Sequence, residues 1–167
     1  MSEENQPQAD LQPIAVSAQY VKDFSFESPN VPAIFGSMAN EQPSINVNVD
    51  TNAVPMEGNS FEVTLHVQVE AKGSEQVAFV LEVEYAGLFV LNVPEEHRGP
   101  ALLIECPRLL FPFVRNLICD ATRDGGFPPL MLQPIDFVAL YQQRIAQMQA
   151  EQAAAGEGEA AAEEASE

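Results

Sequence analysis

From Phe61 to Ala71 the chain alternates without a break. Phe61, Val63, Leu65, Val67, Val69 and Ala71 are apolar, and Glu62, Thr64, His66, Gln68 and Glu70 between them are polar. Successive side chains of a strand point to opposite faces, so this period of two makes a strand with one buried and one solvated face. One wet face also argues for an antiparallel sheet, since parallel sheets are covered on both sides. The flanking segments extend the pattern. Ile45, Val47 and Val49 alternate with Asn46, Asn48 and Asp50 in a second strand. Val77–Val93 is apolar nearly throughout, with Glu82 and Glu84 on one parity, and reads as a long strand interrupted near Gly87. Ile14–Phe26 supplies another, with Ala18, Tyr20, Phe24 and Phe26 on one face. Lys72-Gly73-Ser74 marks a hairpin turn.

Beyond Glu95 the period changes. Leu102, Cys106, Leu109, Phe113 and Leu117 recur at spacings of three and four, the stripe of a helix. Ile104, Phe111, Val114 and Ile118 form a second stripe on another side. A helix with two apolar sides needs two apolar neighbours, and a second subunit is a natural candidate for one of them. Pro107 predicts a kink or a helix start, because proline has no N–H to donate. Gly125-Gly126 ends the helix. Asp136 is placed to cap a last helix, with Ile135 and Leu140 as a hydrophobic staple and Phe137, Leu140, Tyr141, Ile145 and Met148 as its apolar face. Strands first and helices afterwards predict an α+β fold with helices packed on one face of an antiparallel sheet.

Charge narrows the range of partners. The formal net charge is −18, from 25 acids against seven bases. Nine of the acids fall in the terminal stretches Met1–Asp10 and Glu151–Glu167, which carry no base; the rest of the chain still holds 16 acids to seven bases. Such a surface repels nucleic acid and anionic headgroups, and a basic protein is its natural complement. Met1–Gln12 and Glu151–Glu167 offer too little large apolar surface to repay ordering and are expected to be disordered tails around one domain at 13–150. The first 30 residues lack the basic and apolar regions of a signal peptide, and no stretch approaches the ~18 apolar residues of a membrane span. A cytoplasmic location is expected.

Catalysis finds little support. Cys106, Cys119, His66 and His97 have no zinc-site spacing, and the two thiols fall in apolar helix, where nothing lowers a thiol pKa. Two buried cysteines and two surface histidines account for the same residues. There is no phosphate-binding glycine loop and no nucleophile elbow. No enzyme activity, metal or cofactor is expected. Two surfaces remain. The polar parities carry Asp23, Ser25 and Glu27, then Glu62 to Glu70, then Val80, Glu82 and Glu84; if these faces coincide, the outer sheet is an acidic panel. Pro29–Pro43, with Val31, Ile34, Phe35 and Met38, is greasy for a connection and reads either as a lid or as the lining of a groove.

The sequence resembles the SecB family of export chaperones from about Ala15 to Gln149. The stretches that carry the likeness are Lys22–Asn30, Ala78–Val83, Cys106–Arg115, Gly126–Leu130 and Leu132–Phe137, in family order. The resemblance implies a four-stranded antiparallel sheet with two main helices, assembled as a homotetrameric dimer of dimers. It implies an ATP-independent chaperone that holds unfolded precursors of exported proteins and passes them to the SecA ATPase. The carboxylates Asp23, Glu27 and Glu82, with apolar Val80, match the family's SecA-docking positions. Glu84-Tyr85-Ala86-Gly87 departs from a more polar, glycine-rich stretch of the family. A precursor groove is expected from Ile34, Phe35 and Met38 of the connection with Phe137, Leu140 and Tyr141 of the last helix. The rivals are a holdase of the same fold serving clients other than exported proteins, and a small-molecule pocket behind the greasy loop; no convergent polar groups favour the latter.

Overall fold

Alternation makes β3, Ser60–Lys72, the organising strand. In the computed structural model, which describes residues 12–73 and 75–164 with side chains to 154, Val63, Leu65, Val67, Val69 and Ala71 are fully buried. Removing each valine or leucine from water contributes about 1.5–3 kcal/mol. Three more strands, β1 (Ile14–Glu27), β2 (Ser44–Pro55) and β4 (Val77–Leu91), complete an antiparallel sheet in the order β1-β4-β3-β2. β2, β3 and β4 form a meander, and β1 closes on the far side of β4. A short helix, α1 (Ala33–Met38), sits in the connection from β1 to β2. Gly73 N–H donates to Gln76 O at 2.9 Å in the hairpin between β3 and β4, and Ser74 lies outside the described residues.

β4 corrects one expectation. It runs unbroken through Gly87, which pairs with Val63 on one side and Gln19 on the other. The glycine is there for contact rather than for a break. A Cβ at Gly87 would lie 2.7 Å from the Phe89 ring and 3.0 Å from Leu110 of the helix above. Its bare backbone lets the helix press against the sheet.

β1 corrects another. Its register against β4 slips between Val16 and Ala18 and again between Val21 and Asp23, so Ser17 and Lys22 are extra residues in the strand. Each slip inverts the parity of what precedes it. Phe24 and Phe26 pair with Val83 and Leu81 on the apolar face, whereas Tyr20 and Ala18 pair with Ala86 and Leu88 on the polar one. The four residues expected on one face divide between two.

After β4 come α2 (Glu95–Pro100), one wide π-helical stretch (Ala101–Glu105) and α3 (Cys106–Asp124), with Pro107 in the first turn of α3. α3 lies across β3 and β4. Ile104, Phe111, Val114 and Ile118 are all buried, as one stripe requires. The other stripe divides: Leu102 and Cys106 are buried, but Leu109 and Phe113 are 45% and 46% exposed. Gly126, at φ +86°, ends α3 in the left-handed conformation, with Phe127 N–H bonded back to Thr122 O at 3.0 Å. Thr122, fully buried, also accepts a hydrogen bond from Leu130 N–H at 2.9 Å and so fastens the following segment to the helix.

The chain divides into two compact units, the first ending at Leu132 and the second beginning at Gln133. The second is dominated by α4, Phe137–Glu164. Asp136 caps it, its Oδ1 accepting from Ala139 N–H at 3.0 Å. The backbone stays helical to Glu164, well past 150, where the C-terminal tail was expected to begin. Alanine, glutamate and glutamine are strong helix formers, and that preference acts without any apolar face to bury. The N-terminal tail falls outside the described residues except for Gln12, and Ala165–Glu167 lie outside them at the other end.

Candidate functional site

Directly paired residues of antiparallel strands share a face. The register therefore settles which polar side chains meet. Glu27 lies opposite Val80, Ser25 opposite Glu82, and Asp23 opposite Glu84. Across β4 the same face continues into β3 as Glu70, Gln68 and His66, and into β2 as Asn46, Asn48 and Asp50. The face turned away from α3 is thus a four-strand acidic panel. Asp23, Glu27, Val80 and Glu82 stand together at its β1–β4 side; Asp23 and Glu27 are exposed, and Val80 and Glu82 half-buried.

Several carboxylates of the panel are already engaged. Lys22, one of the two extra residues of β1, reaches Glu62 Oε1 at 2.7 Å, and the Tyr20 hydroxyl donates to the other oxygen of Glu62. Lys22 first and Tyr20 second hold the Glu62 carboxyl below its usual range. The same hydrogen bond, with burial and the negative charge of Glu62, pushes the Tyr20 phenol up to about 12. Lys72 pairs with Glu70 at 3.0 Å. His66 Nε2 lies 2.7 Å from Glu82 Oε1. The Lys22 and Tyr20 partners of Glu62 were missed in the sequence because the bulge at Lys22, which turns Tyr20 toward Glu62, has no periodic signature.

The opposite face ends in an aromatic cluster. Phe26 stacks on Phe79 at 5.5 Å, and Phe127 packs against Phe79 and Phe35 at 5.1 and 5.2 Å. Beside them is an open cavity of about 220 Å³ lined mostly by Met38, Pro43, Ile45, Phe79, Phe127 and Leu130. Phe79 and Val80 are neighbours in sequence yet point to opposite faces, one into this cluster and one onto the acidic panel. Ser28 Oγ and Asn30 Nδ2 bond to Ala78 O and Val77 O at 2.8 and 2.9 Å, holding the loop that carries α1 against the start of β4. Of the predicted groove residues, Ile34 is buried, Phe35 is 38% exposed against Phe127, and Met38 lines the cavity. Phe137, Leu140 and Tyr141 lie one turn apart on α4 in the second unit, Phe137 buried and the others half-buried. Sequence reasoning missed Phe26, Phe79 and Phe127, which it read as strand core and loop. The signal available was Phe127 itself, an aromatic held between a helix-ending glycine and two prolines.

No group of three or more histidine, cysteine or acidic side chains suited to a metal occurs among the described residues. Burial, and to a smaller extent Glu105, pushes the Cys106 thiol up to about 12, which leaves it a core side chain rather than a nucleophile. Among the described residues no helix is long and apolar enough to cross a membrane.

Known proteins match this arrangement. The SecB-like chaperone of Mycobacterium tuberculosis, solved with a ChAD peptide from the HigA1 antitoxin, shares the fold at a TM-score of 0.56 over 74% of this chain and 88% of its own, with 15% identity. The protein-export protein SecB of Paramagnetospirillum magneticum is 51% identical over 91% of this chain and 98% of its own length. That of Rhodospirillum rubrum is 47% identical over 89% and 92%. The family described as preprotein translocase subunit SecB matches residues 4–148. The chain belongs to the SecB family.

Proposed function

We propose that the protein is a protein-export chaperone: it holds precursors of exported proteins unfolded, without ATP, and delivers them to the SecA motor in the cytoplasm. The observation that carries this reading is the division of chemistry across one sheet. One face is acidic and suits a basic, folded partner; the other ends in an open aromatic cavity that suits apolar side chains of an unfolded chain.

On the acidic face, Asp23, Glu27 and Glu82 attract the basic, zinc-bearing C-terminal segment of SecA, and Val80 gives it an apolar footing. On the other, Phe35 and Met38 with Phe79 and Phe127 take up precursor side chains, and buried Ile34 anchors α1, which carries Phe35 and Met38. Leu140 and Tyr141 on α4, both half-buried, offer a second apolar strip for the same clients, and Phe137 of the expected groove is buried and presents no surface to them. Apolar pockets with few polar groups discriminate weakly between sequences, which suits a chaperone with varied clients.

The proposed assembly is a homotetramer, a dimer of dimers. Its support is apolar surface on the first unit: Val16, Val21 and Phe24 along the free edge of β1, and Leu109 and Phe113 on the outer side of α3, are each 40–46% exposed. Several weak sites on one tetramer add avidity.

Light scattering after size separation tests the reading, with the protein alone and with an unfolded secretory precursor, in the absence of nucleotide. A tetramer that co-elutes with the unfolded precursor but not with its folded form is expected. A monomer indifferent to unfolded protein overturns it. A tetramer that binds unfolded protein but not SecA would instead favour a holdase serving other clients.

A further inference from the structure

Glu82 does not face its partner alone. His66 Nε2 is 2.7 Å from Glu82 Oε1, with the two side chains 32% and 39% exposed. A carboxylate only accepts hydrogen bonds, so the proton in this contact belongs to Nε2. The second protonation of the ring then falls on Nδ1. It changes the charge of the pair while leaving its geometry in place.

The surroundings make that charge count. His66 lies opposite Glu84 on β4 and opposite Asp50 on β2, and shares a cavity of about 360 Å³ with both and with Lys22. Lys22 is committed to Glu62 at 2.7 Å, and Lys72, farther along β3, to Glu70 at 3.0 Å. Among the described residues of the panel, His66 is therefore the group whose positive charge can come and go next to a docking carboxylate. Histidine changes charge between about pH 5 and 8.

We infer that His66 is a further determinant of partner docking: its protonated ring neutralises Glu82 and competes with the basic partner, so the panel is fully available only when the ring is neutral. This rests on the reading of the acidic face as the docking surface for SecA. The pair is half-exposed and screened by solvent, so the effect is graded rather than all-or-none.

The test is titration calorimetry of the full-length protein with the zinc-loaded C-terminal segment of SecA, at low ionic strength, at pH 8 and pH 6. The proteins compared are wild type, His66→Gln, His66→Lys and Glu82→Lys. Glutamine keeps a donor for Glu82 but no charge; lysine keeps the charge at both pH values. Partner titration is common to all four and cancels in the comparison. Between pH 8 and pH 6 the wild type is expected to lose about two- to fivefold more affinity than His66→Gln, the range measured for exposed ion pairs. His66→Lys, charged at both pH values, should bind more weakly than His66→Gln at pH 8 as well as at pH 6. Parallel pH profiles of wild type and His66→Gln overturn the role of His66 while leaving docking intact. Unchanged binding by Glu82→Lys at pH 8 overturns the docking reading itself, and the inference with it.

Discussion

The acidic panel and the aromatic cavity are made from the same strands, yet they are built on different principles. The panel is regular: it needs only alternation and register, and β3 supplies one residue in two to it. The cavity is irregular, assembled from the end of β1, the loop bearing α1, the start of β4 and the segment after α3. A regular surface loses charge one residue at a time, whereas an assembled one collapses when its central piece is removed. The two regions should therefore fail differently.

The sharpest break is at Phe127, which touches Phe26, Phe35 and Phe79 and is 5% exposed. Phe127→Ala should cost about 3–5 kcal/mol of stability, the loss typical of a buried aromatic. Urea unfolding measures it. In conditions where the variant stays folded, precursor binding should fall by more than tenfold while SecA binding stays within twofold. Equal loss of both would mean that the two surfaces are not independent.

Glu82→Lys is the converse. It inverts one charge on the panel and sets it beside Glu84 and Asp23, so the sheet should tolerate it, with a melting temperature within a few degrees of wild type. SecA affinity should fall about tenfold, and precursor holding should be untouched. A protein that loses both activities together would indicate a folding defect instead.

The smallest effect concerns Tyr20. Its charged form is the anion, and folding raises its pKa from the ordinary 10 to about 12 through Glu62. The hydrogen bond thus adds stability that is complete below pH 10 and disappears as pH rises from 10 to 12. Ultraviolet titration of the phenols should show one late step near pH 12, absent in Tyr20→Phe. If all the tyrosines ionise near pH 10 in the folded protein, the Tyr20–Glu62 contact is not maintained in solution.

The same contrast decides what could be read in advance. β3 was legible because its alternation is strict and its inward residues from Val63 to Ala71 are all buried. The capped start of α4 was legible because Asp136 precedes an apolar period. Gly87 was misread because glycine signals both a break and a close approach, and only the position of Leu110 distinguishes them. Tyr20 was assigned to the wrong face because one extra residue at Lys22 inverts everything before it, and β-bulges carry no sequence period. The carboxylates proposed for docking were named through family likeness, and register places them on one face. The cavity was half seen, through Phe35 and Met38, because Phe26, Phe79 and Phe127 lie far apart in sequence and meet only in the folded chain.

The central claim is that one molecule can hold a client and meet its motor at once, because the two surfaces lie on opposite faces of a sheet. The direct measurement is the affinity of the zinc-loaded SecA segment for the protein, with and without saturating unfolded precursor. The account predicts a ternary complex and an affinity unchanged within twofold. Displacement of the segment by precursor, in proportion to occupancy, would contradict it.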